Sequence, residues 1–234
     1  MILLLLFLAV AVVTSEDILP RSCVEIQAGS GVHEIYPEYG FDEPIDVFCD
    51  QSSEGGGWIV IQNRFNGSVH FFRGWSDYEK GFGDWRSEFW VGLKSIHRIT
   101  YSQRYELLVQ LEHTNGNKVF ASYDYFVVSG PEEKYRLQSL GTYSGTAPDA
   151  LTFHLNASFS TMDRNNAECF ANCAADYYGA WWFKCCHASD LNGLHVYGNP
   201  TIKTSSRMSW KTQVRIKISR MMIRPWMFGS RNVN

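Results

Sequence analysis

The residues best suited to chemistry lie in the last third of the chain. The stretch "TMDRNNAECFANC" (161–173) places Asp163, Asn165 and Glu168 at short spacing. That is how a loop supplies oxygen ligands to a hard cation such as calcium. Cys169 stands where a further oxygen would be expected. Cys169, Cys173, Cys185 and Cys186 offer four sulfurs, but without the C-x-x-C spacing or paired histidines of a zinc site. His187, Ser189 and Asp190 are the residue types of an acyl-transfer triad. Sequence neighbours rarely converge on one point, and such triads are recognised by geometry. No nucleophile elbow, phosphate loop or zincin motif occurs. The chain reads as a binding protein and not an enzyme.

The compartment decides how the cysteines are read. The opening run "MILLLLFLAVAVVTS" is apolar, ends in small residues and is too short to span a bilayer. It reads as a secretory signal peptide over residues 1–15, although no Lys or Arg precedes it. No later segment is apolar enough for a transmembrane helix. In an oxidising, extracellular setting the six cysteines, an even number, suggest disulfides. The sequons at Asn66 and Asn156 fit surface glycosylation, whereas Pro200 excludes the one at Asn199. With 21 basic and 24 acidic residues, no global field points to nucleic acid or an anionic membrane. Eight Trp in a chain that is 15% aromatic serve mainly as core, and some as contact surface.

The positioning elements follow from periodicity and turn signals. Ile59–Ile61 reads as a buried strand entered through a glycine turn. "RFNGSVHFF" (64–72) reads as a hairpin about Asn66-Gly67. Ser76 reads as the N-cap of a short helix stopped by Gly81 and Gly83, and a second helix is expected from Ser87 to Ile96. "YELLVQLEH" and "KVFASYDYFVV" read as strands joined at Asn115-Gly116, and residues 213–225 as a half-buried strand. Beyond residue 150 long apolar runs are scarce and four of the six cysteines occur. Such a segment relies on cross-links for stability and is where binding sites tend to lie.

Three ordered motifs carry a family resemblance. "GGGWIVIQNRFNGSVHFFRGWSDYEKGFGDWRSEFWVGLKSIHRIT" (55–100), "NCAADYYGAWWFKCCHASDLNG" (172–193) and "RMMIRP" (220–225) resemble the fibrinogen-related domain of fibrinogen chains, ficolins, tachylectins, tenascins and angiopoietins. The resemblance covers residues 22–226, with a tail at 227–234. It implies one α+β unit: a mixed, mostly antiparallel sheet, short helices and a loop-rich, disulfide-linked C-terminal subregion. The subregions would run over about 22–63, 64–152 and 153–226. It further implies pairing of Cys23 with Cys49 and of Cys173 with Cys186, since "CHASDLNG" follows Cys186 as in relatives. Cys169 and Cys185 are then extra. A Cys169–Cys185 bond would staple the loop; swapped pairing or two free thiols are the alternatives.

The family's calcium loop carries over poorly. Its ligand aspartates fall on Asn165 and Ala167, while Asp163 keeps the first acidic position. No cofactor is therefore expected. The family's ligand pocket carries over to Asp176, Tyr177, Cys186 and His187, with a cis peptide often found around that cysteine. The opposite wall falls on Thr204 and Ser205, where relatives carry a tyrosine. The expected function is a secreted, lectin-like recognition protein that binds glycans, acetylated or not, or microbial surface ligands in innate immunity. The alternative is a signalling or matrix ligand using the same face on a cell-surface protein receptor, as angiopoietin- and tenascin-like members do. About seven residues separate the signal peptide from Cys23, too few for a stalk, so multivalency would come from self-association or a partner.

Overall fold

A computed structural model of the protein describes residues 19–38, 43–195, 206–211 and 214–226. The expected signal peptide (1–15), the tail (227–234), Thr204 and Ser205 lie outside the described residues. The first strands are β1 (Gly31–Ile35), β2 (Ile45–Asp50) and β3 (Trp58–Arg64). Next come helix α1 (Trp75–Lys80), the short strands β4 (Phe82–Gly83) and β5 (Phe89–Trp90), and helix α2 (Leu93–Ser102). The middle of the chain supplies β6 (Tyr105–His113), β7 (Lys118–Tyr123), β8 (Phe126–Val128), β9 (Leu137–Leu140) and β10 (Tyr143–Gly145). Helix α3 (Cys173–Asp176), β11 (Ser189–Asp190), β12 (Ser209–Trp210) and β13 (Val214–Pro225) complete it.

All the described pairings between strands are antiparallel, and the main sheet runs β1-β2-β3-β13-β6-β7-β10. Alternation builds it: Tyr105, Leu107, Val109 and Leu111 of β6 are buried on the inner face, with Glu106, Leu108 and Gln110 between them on the other. The last strand, β13, is inserted between β3 and β6. The two ends of the described chain thus close one sheet. Over the outer face Trp58, Val60, Phe89, Leu108 and Met222 form a second small apolar cluster. The Arg224 guanidinium lies 4.1 Å over the Trp58 ring and caps it.

Four expectations are corrected. No hairpin forms over 64–72: β3 ends at Arg64 and no second arm follows. Instead Glu88, fully buried, accepts the backbone N–H groups of Phe65, Asn66 and Gly67 on Oε1 (2.6, 2.8 and 2.9 Å) and of Val69 on Oε2 (3.1 Å). One carboxylate does the work of a partner strand. The second helix starts at Leu93, not Ser87, because Phe89 and Trp90 pair with β3 and β4. Helix α1 starts at Trp75 with no cap from Ser76; its first N–H is held by Asp163 Oδ1 at 2.9 Å. The run 118–128 is also two strands, broken between Tyr123 and Phe126.

An aromatic cluster joins sheet to loops. Phe159 lies 5.3 Å from Tyr78, 6.0 Å from Trp90 and 5.2 Å from Trp182, between ring centroids. Trp181 and Trp182 are fully buried and are scaffold. The Trp182 indole N–H donates to the Tyr135 carbonyl at 2.8 Å.

Candidate functional site

The loop 161–173 is closed by its own side chains. Asn172 caps α3, its Oδ1 accepting the Ala175 N–H, and its amide donates to the Met162 carbonyl at 3.0 Å. Asp163 Oδ1 takes the Thr161 hydroxyl (2.6 Å) as well as the Trp75 N–H. Burial would raise its carboxyl, but those donors and Arg164 hold it below the usual carboxylate range. The approach is close: a Cβ on Gly74 would stand 2.7 Å from Asp163 Oδ2, so a side chain there would displace the carboxylate. Asn165 Oδ1 accepts the Ala167 N–H and its amide donates to the Ala171 carbonyl. At the family's three positions stand one carboxylate and one amide oxygen, both already engaged, and a methyl, with Glu168 an exposed carboxylate outside those positions. Calcium takes six to eight oxygens, and its affinity follows ligand charge. These residues do not fit it.

Sulfur closes what the oxygens do not. Cys23 is bonded to Cys49, Cys173 to Cys186 and Cys169 to Cys185, and there are no free cysteines among the described residues. The bonds at Cys185 and Cys186 tie both ends of the segment 169–173 to one dipeptide, whose peptide bond is cis. Phe170, inside that tied segment, is fully exposed.

The structure brings Tyr177, Cys186 and His187 together. The Tyr177 ring meets His187 edge-on at 4.5 Å, and Phe183 lies on another side of the imidazole at 5.9 Å. Burial pushes the imidazole down to about 4, so it is neutral at physiological pH. Its Nδ1 is buried and has no hydrogen-bond partner among the described residues. Asp176 ends α3 exposed to solvent, one residue before Tyr177. The triad residue types do not converge: Ser189 Oγ donates to the Ala150 carbonyl at 3.1 Å, and Asp190 Oδ1 accepts the Asn192 N–H at 3.0 Å. Burial raises the Asp190 carboxyl to about 7, against the pull of the Asn192 N–H and Arg64.

Two positioning residues carry no local sequence signal. His154 is fully buried; its Nδ1 lies 2.6 Å from the Trp182 carbonyl and its Nε2 receives the N–H groups of Ala188 and Ser189 at 3.2 and 3.1 Å. These contacts fix the tautomer with the proton on Nδ1. Arg64, buried at the end of β3, donates to the carbonyls of Leu191 and Gly193 and stacks 4.0 Å over the Phe71 ring. Together they hold the two ends of the segment that carries His187. The sequons are on the surface, Asn66 and Asn156 both being exposed.

The fold is an antiparallel sheet joined to a loop region tied by two disulfides, with the Tyr177–His187 contact beside one of those bonds. The family model described as fibrinogen beta and gamma chains, C-terminal globular domain, matches residues 20–226, and the chain belongs to that family. It is 46% identical over 190 residues to microfibril-associated glycoprotein 4 of Bos taurus, covering 77% of this chain and 74% of that protein. It is 48% identical over 166 residues to tenascin-R of Homo sapiens, covering 71% of this chain and only 12% of that protein. Among solved structures, the fibrinogen-like globe domain of human ANGPTL2 superposes with a TM-score of 0.83 at 35% identity, covering 89% of this chain and all of that one. Lamprey fibrin D-dimer, complexed with the peptide Gly-His-Arg-Pro-amide, gives 0.78 at 30% identity, covering 88% and 71%.

Proposed function

We propose that the protein is an extracellular matrix or signalling ligand that binds a protein partner through the face around His187, and is not an enzyme. This reverses the order in which the two readings stood on sequence alone. The observation that carries it is the exposed apolar side chains of the loop-rich third: Phe170 is fully exposed, and Met162 and Tyr178 are each 38% exposed. Tyr178 rests 5.1 Å from Phe72. Aromatic and Met side chains are enriched in the buried cores of protein interfaces. The names of the relatives, a microfibril-associated protein and a tenascin, support the same reading, and no helix among the described residues is long and apolar enough to cross a membrane.

The test uses immobilised extracellular matrix treated either with glycosidases or with protease. Binding is expected to survive deglycosylation, to vanish after proteolysis and to fall about tenfold or more in Phe170→Ser, as for an interface anchor. Loss on deglycosylation, together with binding to acetylated sugars on an array, would restore the glycan reading.

The same reading makes the Cys169–Cys185 bond the replacement for a loop ion. It spans 16 residues, and closing a loop of that size stabilises by about 3 kcal/mol in the chain-entropy model. Converting both cysteines to serine is expected to lower stability by about that amount in urea titration. Millimolar calcium is expected to shift the melting temperature of neither form. A calcium-dependent rise in the parent protein would overturn the replacement.

A further inference from the structure

We infer that the Cys169–Cys185 bond is a site of covalent modification by small extracellular thiols of the cysteine or glutathione type. The three disulfides differ in access. Cys23, Cys49 and Cys173 are fully buried. Cys185 is exposed, while Cys169 is half-buried and packs against the core. Thiol–disulfide exchange needs a thiolate to reach one sulfur of the bond, so rates follow access as well as thiol chemistry. Of the six cysteines, Cys185 alone is an exposed residue, and Cys169 and Cys186 are half-buried.

The step is balanced without any oxidant. An incoming thiolate forms a bond to Cys185 Sγ, and the Cys169–Cys185 bond breaks. Its electron pair leaves on Cys169 Sγ, which takes a proton from water when it is protonated. One disulfide is exchanged for another, a mixed disulfide on Cys185. The segment 170–172 then keeps a covalent tie only through Cys173. The cost of opening falls on the loop alone, because Cys173–Cys186 still joins α3 to the turn before His187.

The location of the released sulfur is a second, independent observation. The sulfurs of Cys169, Cys173 and Cys186 lie within 4.8 Å of one another. A Cys169 thiolate is thus within local reach of the remaining bond, and the cluster behaves as one exchange unit entered from Cys185.

Native protein incubated with reduced glutathione near pH 8, quenched in acid, alkylated and peptide-mapped, tests this. A glutathione adduct on Cys185 with alkylated Cys169 is expected first, at least tenfold faster than opening of Cys23–Cys49. Cys169→Ser leaves Cys185 as an accessible thiol, and oxidised glutathione is expected to give the same Cys185 adduct. The Cys169→Ser/Cys185→Ser protein is expected to form no adduct while it remains folded. Should either variant fail to fold, the order of opening in the parent protein still decides. Opening of all three bonds together, or only in denaturant, would overturn the inference, as would a first adduct on Cys173 or Cys186.

Discussion

Replacing His154 with phenylalanine is expected to destabilise the loop-rich third enough to abolish partner binding at neutral pH. Phenylalanine is somewhat larger than histidine, so no cavity opens, and the effect combines lost hydrogen bonding with some overpacking. Three groups lose their partner: the buried Trp182 carbonyl and Ser189 N–H, and the half-buried Ala188 N–H. A buried polar group left unsatisfied costs about 1–3 kcal/mol. The sum is a large share of the roughly 5–15 kcal/mol that keeps a domain folded. Limited proteolysis near residues 183–189 and thermal melting are the measurements. A variant as resistant as the parent would mean that water replaces the imidazole without loss.

The pH dependence separates this role from packing. Burial holds the His154 imidazole down to about 3, with His187 and Lys184 acting in the same direction and the Trp182 carbonyl opposing them. A free histidine has a pKa near 6.5. The folded state therefore excludes a proton that the unfolded chain takes up. The stability this confers is complete above about 6.5 and is lost as pH falls from there toward about 3. His187 and His195 are also depressed by burial and add slope in the same range. The phenylalanine variant is expected to lose one histidine's share of the slope between pH 6 and 4.5. An unchanged slope would sink the assignment.

Regular strands were legible in the sequence because their signal is local. The alternation in 105–113 and the apolar run at 59–61 predict strands that the fold contains, and 213–225 spans all of β13. What no local pattern could state is that β13 lies between β3 and β6. The misplaced second helix has the same cause. Residues 87–92 look helical alone, but pairing of Phe89 and Trp90 with β3 overrides propensity. The candidate site divides likewise. Tyr177, Cys186 and His187 came from motif resemblance, and the structure groups them. His154 was missed because its partners lie 28 to 35 residues away and are backbone atoms, which leave no side-chain pattern. Asp163 looked like a metal ligand because a carboxylate that caps a distant helix and one that binds an ion share the same local spelling.

The missed hairpin leads to the second large effect, at Glu88. Asn66-Gly67 does turn, with Gly67 at φ +75°, but the N–H groups that a second strand would satisfy converge on one carboxylate. Glu88→Ala would strand four backbone donors. At about 1–3 kcal/mol for each that stays buried, the loop 65–69 is expected to detach, with a loss above about 4 kcal/mol in urea titration at pH 7. Glu88→Gln keeps one oxygen for the three donors on Oε1 and turns an amide N–H against that of Val69, so a smaller loss of about 1–3 kcal/mol is expected. Acid discriminates the charged interaction from shape. Burial alone would raise the Glu88 carboxyl, but the N–H groups of Gly67, Asn66, Val69 and Phe65 outweigh it and lower the pKa. Its stabilisation is present above the ordinary glutamate value and is lost as pH falls through the lowered one. The gap between parent and glutamine variant is therefore expected to narrow at pH 3 relative to pH 7. A gap that stays constant would mean that the four bonds depend on the oxygen positions and not on the charge. Arg64, buried on the adjoining strand end, feels the Glu88 charge, which raises its guanidinium against burial's opposing push. Loss of that charge is expected to weaken the hold of Arg64 on Leu191 and Gly193. A substitution in this loop would then be felt at the far end of the His187 segment, as increased protease sensitivity near residue 191.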